Sequence, residues 1–115
     1  MGEPTPEALK SRYLPRLQEE LASLRQASAD TADHRRPVTL DQQSVGRLSR
    51  MDAMQQQAMA AAQDTRRHAR IRALDAALRR IEGQDFGWCD ACGDFIGEPR
   101  LDIDPTIMRC RDCAR

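Results

Sequence analysis

The chain has 115 residues, which suits one domain, and 31% of them are charged while only 3% are aromatic. Its mean hydropathy is −0.70 and alanine inflates the apolar fraction, so helices that bury narrow stripes are favoured over a round core. The 18 basic and 18 acidic residues cancel, which argues against bulk attraction to nucleic acid or to an anionic membrane.

The N-terminal sequence MGEPTPEALKSRY has no apolar segment of the kind that a secretion signal needs. Gly2 follows the first methionine, but Pro6 stands where a myristoylation signal requires serine or threonine. No apolar run in the chain approaches the roughly 18 residues that cross a bilayer. We therefore expect a soluble, cytoplasmic protein without a membrane partner.

A first helix is predicted from about Glu7, after a flexible leader at residues 1–6. One apolar stripe at helical spacing runs along it, formed by Leu9, Tyr13, Leu14, Leu17, Leu21 and Leu24. The pattern fades into a predicted connecting loop near residues 30–43, which contains Asp30, Thr31, Asp33 and Pro37.

A second, longer helix is predicted from a cap at Asp41 or Ser44 to Glu82, with Gly83 in the left-handed position that ends it. Such a helix of about 38 residues would span roughly 57 Å. Its expected inward stripe has a period near 3.6 and consists of Leu48, Met51, Gln55, Met59, Ala62, Arg66, Ala69, Leu74, Leu78 and Ile81. Residues 7–83 are therefore predicted to form a nearly straight antiparallel hairpin.

Four cysteines lie in the last third of the chain as two C-x-x-C pairs, and 17 residues separate Cys92 from Cys110. This spacing is typical of a closed four-cysteine zinc site, formed here by Cys89, Cys92, Cys110 and Cys113. Disulfides are disfavoured in a reducing cytosol. A thioredoxin-type redox pair is disfavoured as well, because it would need a βαβ unit, for which the chain has no room. Residues 84–115 are thus predicted to form a zinc module with one structural Zn²⁺.

The module's expected apolar shell consists of Phe86, Trp88, Phe95, Ile96, Leu101 and Ile103. Between the first and last cysteines, six acidic residues outnumber three arginines, so this module is expected to bind phosphate groups poorly. Direct sequence-specific DNA binding is therefore not expected.

The C-terminal sequence resembles the DksA/TraR family, whose pattern contains F/Y-G-x-C-x-x-C-G, I-x-x-x-R-L, Pro-Thr and C-x-x-C. The matching residues are Leu78, Ile81, Phe86, Gly87, Cys89, Cys92, Gly93, Ile96, Arg100, Leu101, Pro105, Thr106, Cys110 and Cys113. The close match covers about a third of the chain, and the hairpin matches in architecture only. The resemblance implies a mainly α fold, with a two-helix hairpin followed by the zinc module.

The resemblance also implies a bacterial transcription regulator that binds RNA polymerase at its secondary channel, with the hairpin tip near the active centre. The tip acid and alanine of the family align here with Ser49 and Met51, so that the nearby Asp52 and Ala53, or Asp41, are the candidates. Further polymerase-contact candidates are Arg66, Arg70 and Arg100.

Two positions that are basic in some family members and help to bind the alarmone ppGpp are Asp104 and Ala114 in this chain. The resemblance therefore argues against dependence on ppGpp. In comparison with larger members, we expect this chain to form neither their longer N-terminal region nor their helix after the last cysteine.

Two other functions remain open from the sequence: a zinc-stabilised adaptor for another protein, and a thiol redox sensor that releases zinc on oxidation. Catalysis is disfavoured because the two histidines, His34 and His68, are far in sequence from any nucleophile. They are expected to be an exposed loop residue and an exposed helix residue.

Overall fold

A computed structural model describes residues 3–32 and 47–114 of the chain, with side chains described from residue 49 onward in the second range. Three helices follow in order, α1 Pro6–Asp30, α2 Arg47–Glu82 and α3 Glu98–Ile103. The two long helices are antiparallel, since Ser28 of α1 contacts Asp64 of α2 and Glu20 contacts Arg70. The predicted fold class, a helical hairpin followed by a small four-cysteine module, is confirmed.

Helix α1 begins where the sequence places a threonine before a proline. The Thr5 hydroxyl accepts a hydrogen bond of 3.1 Å from the N–H of Ala8, and Pro6 occupies the first turn, where its missing N–H costs nothing. The buried residues recur every four positions at Leu9, Tyr13, Leu17 and Leu21. Leu14 and Leu24 pack beside them, so the predicted stripe of α1 is confirmed.

Helix α2 follows its predicted stripe only near its C-terminal end. Leu74 and Ile81 are buried, and Leu78 packs against them. Farther from this end the prediction is wrong, because the described residues of the predicted stripe there are exposed, namely Met51, Gln55, Met59, Ala62, Arg66 and Ala69. The partly or fully buried residues there are instead Arg50, Ala53, Gln57, Ala60, Asp64, Arg67 and Arg70. Because small and polar side chains give no hydrophobic signal, the predicted stripe was assigned to methionines, and these are exposed.

The end of α2 also differs from the prediction at Gly83. The left-handed residue is Gln84, with φ 64°. The N–H of Gln84 donates to the carbonyl of Ile81 at 3.2 Å, and the N–H of Asp85 donates to the carbonyl of Arg80 at 2.9 Å. These two bonds form a Schellman motif, which places the left-handed residue one position after Gly83. The predicted caps Asp41 and Ser44, and most of the predicted loop, lie outside the described residues.

The molecule is elongated. Its radius of gyration is 20.1 Å, whereas a compact domain of this length would have about 13 Å, and it extends over 72 × 29 × 20 Å. At 1.5 Å per residue, the 36 residues of α2 account for about 54 Å of the long dimension. None of the described helices has the length and apolarity that crossing a membrane requires.

Candidate metal centre and its seat on the hairpin

The structure brings the four predicted cysteines together. The Sγ atoms of Cys89, Cys92, Cys110 and Cys113 all lie within 4.8 Å of one another, and those of Cys92 and Cys110 are 3.6 Å apart. Four sulfurs around a tetrahedral zinc ion, at about 2.3 Å each, would be roughly 3.8 Å apart. The donor set therefore fits Zn²⁺ in both number and separation.

Two tight turns position these thiols. The N–H of Gly93 bonds to the carbonyl of Cys89 at 3.0 Å, and Gly93 has a φ of 81° that only glycine adopts readily. The second turn is closed by the N–H of Ala114, which bonds to the carbonyl of Cys110 at 2.9 Å. The N–H of Asp90 bonds to the carbonyl of Met108 at 2.8 Å and joins the two turns, so that both cysteine pairs face each other.

The local backbone also favours a thiolate at Cys89. Hydrogen bonds from the N–H groups of Cys110, Cys92 and Ala91 outweigh desolvation and lower the pKa of Cys89 to about 6. Its neighbours are affected in the opposite sense, since the adjacent thiols raise the pKa of Cys113 to about 12. A bound Zn²⁺ would be held by all four sulfurs as thiolates, because metal binding requires deprotonated cysteine ligands. With four protein ligands the site has no open position, so its role is structural.

The apolar shell of the module is confirmed except at one residue. Phe86, Ile96 and Leu101 are buried, and the partly buried Trp88 and Phe95 rings pack against each other with centroids 5.7 Å apart. Ile103, however, is 80% exposed. It is the last residue of the short helix α3, whose inward residue is Leu101, and residues two apart on a helix do not share a face.

The core of the module is completed by α1. Gly87 has a φ of 97°, and a Cβ atom there would lie only 2.8 Å from Cδ1 of Leu9. The rings of Tyr13 and Phe86 are 5.5 Å apart. Because the antiparallel hairpin returns the start of α1 to the end of α2, the zinc module shares one hydrophobic cluster with the base of the hairpin.

Polar contacts surround this apolar seat on the α1 side. Arg12 donates two hydrogen bonds to the Asp102 carboxylate, at 2.8 and 2.9 Å, and also pairs with Glu98 at 3.1 Å. The Tyr13 hydroxyl donates to Asp102 Oδ1 at 2.7 Å, and Arg16 donates to the carbonyl of Asp102 at 2.7 Å. Burial and the bond to Asp102 raise the pKa of Tyr13 to about 12.

On the α2 side, Arg70 connects both long helices to the module. Its guanidinium donates to Glu20 at 2.8 Å, to Asp104 Oδ1 at 2.9 Å and to the Thr106 hydroxyl at 3.0 Å. Burial alone would raise the pKa of Asp104, but hydrogen bonds from Thr106 and the positive charge of Arg70 lower it below the ordinary value. The side chain of Arg70 is thus engaged within the protein.

The other predicted contact residues are dispersed. Asp52 is exposed and Ala53 half-buried in the first half of α2, and Arg66 is exposed one turn before Arg70. Arg100 lies in the module, where its guanidinium donates to the carbonyl of Arg109 at 3.3 Å, while its buried Nε has no hydrogen-bond partner among the residues that the structure describes. His68 is an exposed helix residue, as predicted, and His34 lies outside the described residues.

A polar cluster inside the hairpin was not predicted. Asp64 is only 7% exposed and accepts a 2.7 Å hydrogen bond from the Ser28 hydroxyl, with His68 Nδ1 at 3.4 Å from its other oxygen. Arg67 lies 3.7 Å from the same carboxylate and donates to Thr31 at 3.3 Å. A single aspartate in a charged helix has no distinguishing sequence signal, because its burial depends on α1.

These features define a C4-type zinc-finger protein built on a helical hairpin. Residues 84–115 match the family model of the prokaryotic dksA/traR C4-type zinc finger, which confirms the resemblance for this module. The relatives include the RNA polymerase-binding transcription factors DksA of Haemophilus influenzae and Escherichia coli K12, each 42% identical over 43 residues. These matches cover 37% of this chain but only 30% and 28% of the relatives. An uncharacterized protein of Aquifex aeolicus is 44% identical over 46 residues.

Among solved structures, transcription factor DksA2 from Pseudomonas aeruginosa is similar to this protein over most of the chain. The TM-score is 0.68, and the comparison covers 95% of this chain and 79% of the other. The sequence identity is 23%, so this likeness concerns the fold alone.

Proposed function

We propose that this protein regulates transcription by binding RNA polymerase at its secondary channel. The observation that supports this proposal most directly is the zinc-module match to relatives that are named as RNA polymerase-binding transcription factors. The shape is suited to the task, because a rod about 54 Å long on a wider base can enter a narrow channel while the base stays outside.

In this proposal the two ends of the rod have different roles. The zinc module and the base of the hairpin dock on the polymerase, with Arg66 and Arg100 as contact residues, and Asp52 and Ala53 act near the catalytic region. Asp52 is available for such a role because it is exposed. Arg70 is assigned an internal role instead, since its donors are occupied by Glu20, Asp104 and Thr106.

The binding step is tested by crosslinking or co-purification of the zinc-loaded protein with core RNA polymerase. We expect a complex, and Arg66→Ala should weaken it. The matched control is Arg25→Ala, which removes an exposed arginine from α1 whose paired carboxylate, Asp75, is 3.5 Å away. Folded, zinc-loaded protein that does not bind polymerase would reject the proposal, and capture of a different protein would favour an adaptor.

The role of the tip is tested separately by Asp52→Asn. This variant should bind polymerase normally but lose most of its effect on transcription initiation, because only the charge near the catalytic region changes. Gln56→Ala, which alters an exposed residue one turn farther along α2, is the control. Unaltered transcription by Asp52→Asn would remove that residue from the proposed tip.

We also propose that neither ppGpp nor direct recognition of a DNA sequence is needed. Near Asp104 the positive charge of Arg70 is already neutralised by two carboxylates, those of Glu20 and Asp104, and this arrangement disfavours a polyphosphate. Transcription measured with and without ppGpp should respond equally to the protein, and gel-shift assays should show no sequence-dependent complex. A ppGpp-dependent increase would contradict this part of the proposal.

A further inference from the structure

The end of α3 carries two carboxylates that bind different long helices. Asp102 accepts hydrogen bonds from Arg12 and Tyr13 of α1, and Asp104 accepts one from Arg70 of α2. Arg70 in turn pairs with Glu20 of α1 at 2.8 Å. The module is thereby joined to both helices of the hairpin by charged hydrogen bonds.

The apolar contacts and these carboxylates constrain different motions. Leu9, Phe86 and Leu101 form a buried cluster whose attraction is non-directional and which holds the module against the hairpin. The bonds to Asp102 and Asp104 are directional, and that of Arg12 to Asp102 uses both oxygens. Since all these ion pairs are partly exposed, they add little stability, and geometry is their main contribution.

The length of α2 makes this geometry consequential. A rotation of about 5° at the base would move the far end of a 54 Å helix by about 5 Å. A displacement of that size equals the separation of neighbouring side chains on a helix face. The direction of the hairpin relative to the module must therefore be fixed at the base if its far end is to reach a defined place.

We propose that Asp102 and Asp104 are positioning residues that set the direction of the hairpin relative to the zinc module. This direction is a property of the protein alone, and only its effect on transcription rests on the function proposed above. Asp104 is the more sensitive of the two, because Asp102 shares Arg12 with Glu98, which remains if Asp102 is replaced.

The test measures the distance between the module and the distal part of α2 in the zinc-loaded, full-length protein. Non-cysteine spin labels at the exposed positions Gln56 and Asp94 leave the four zinc ligands intact. The unaltered chain should give one narrow distance distribution. The double variant Asp102→Asn/Asp104→Asn should broaden it or shift it by several ångströms, while zinc content stays at one ion per chain.

The substitutions are chosen to separate direction from folding. Asparagine at 104 can still accept the hydrogen bonds from the N–H and hydroxyl of Thr106, so the turn before Cys110 is kept while the charge facing Arg70 is lost. Arg70→Gln breaks the same contact from outside the module and should change the distribution in the same way. Asp75→Asn is the control, because its pair with Arg25 joins α1 to α2 without touching the module.

An unchanged distribution in the double variant, with zinc bound, would overturn the proposal. If the double variant loses zinc, the proposal is tested with Arg70→Gln and Arg12→Gln, which leave the module sequence unaltered. Narrow, unshifted distances in both of these would likewise overturn it. Because no polymerase is present, failure here is distinct from failure of the proposed function.

Discussion

The two ends of α2 are built differently although they belong to one continuous helix. Near its C-terminal end Leu74, Ala77 and Ile81 are buried against α1 and the zinc module. In the distal segment, residues 49–63, every side chain is at least partly exposed, and Met51, Met54 and Met59 are more than half exposed. Asp64 marks the boundary between the two regions.

This difference indicates where the stability of the fold arises. The base combines a metal site, a shared hydrophobic cluster and charged contacts, so most of the folding free energy must arise there. The distal segment has exposed polar, alanine and methionine side chains, and its helix is maintained by local propensity and by its continuity with the base. Substitutions should accordingly cost stability at the base and spare it in the distal segment.

Removal of zinc should have the largest effect, because binding supplies on the order of 10–16 kcal/mol in small zinc domains. A chelator, or the Cys92→Ser substitution, should unfold the module and uncover Leu9 and Tyr13. Hydrogen exchange would then show lost protection at the base. Asp94→Asn, an exposed change in the same turn, should keep the zinc. Full protection in chelated protein would show that the base does not depend on the metal.

Truncation of the buried cluster comes next. Leu101 is fully buried, so Leu101→Ala should destabilise the zinc-loaded protein by about 2–5 kcal/mol in urea denaturation. Met59→Ala is the distal counterpart and should stay within about 0.5 kcal/mol of the unaltered protein, because Met59 is exposed. Similar losses for the two variants would abolish the distinction between the two regions.

The polar cluster at the boundary should give an intermediate effect. Asp64→Ala removes the buried carboxylate that accepts the hydrogen bond from the Ser28 hydroxyl, at a cost of about 1–3 kcal/mol by the same measurement. Asp64→Asn should cost less, because an amide oxygen can still accept that bond. Asp52→Asn, which alters an exposed aspartate on the same helix, should leave stability unchanged. If Asp64→Ala also left stability unchanged, the boundary between the two regions would lie closer to the base.

The smallest effect concerns Tyr13, the single tyrosine of the chain. Its pKa is raised from 10.0 to about 12, chiefly by burial and then by the bond to Asp102. A raised pKa means that the resulting stabilisation is complete below pH 10 and disappears as the pH rises through about 12. Phenolate absorbance should report this titration, and Asp102→Asn should lower the midpoint. An ordinary midpoint near 10 would show that the contact is absent in solution.

Much of the architecture was predictable from the sequence. The leucine stripe of α1 has large side chains at helical spacing, and the two cysteine pairs have a spacing that favours one tetrahedral site. Both signals are local and strong. The predicted boundaries of the leader, hairpin and module, and the polymerase-contact residues, stay predictions.

Other features depended on contacts between distant residues. Ile103 is apolar but exposed, because the short helix α3 turns Leu101 toward the core instead. Asp64 is charged but buried, because α1 presents Ser28 to it. Arg70 was predicted among surface contacts, yet its donors face Glu20, Asp104 and Thr106, which lie 34 to 50 residues away in sequence.

The sequence by itself determined a helical hairpin and a four-cysteine zinc site, because helix periodicity and ligand spacing act over short stretches of chain. Only the tertiary structure decided which face of α2 is buried and how the module is seated. Those outcomes depend on the hairpin bringing the start of α1 against the module, where Leu9 meets Gly87 and Arg12 meets Asp102. Contacts between residues that are 78 to 90 positions apart have no local signal in one sequence.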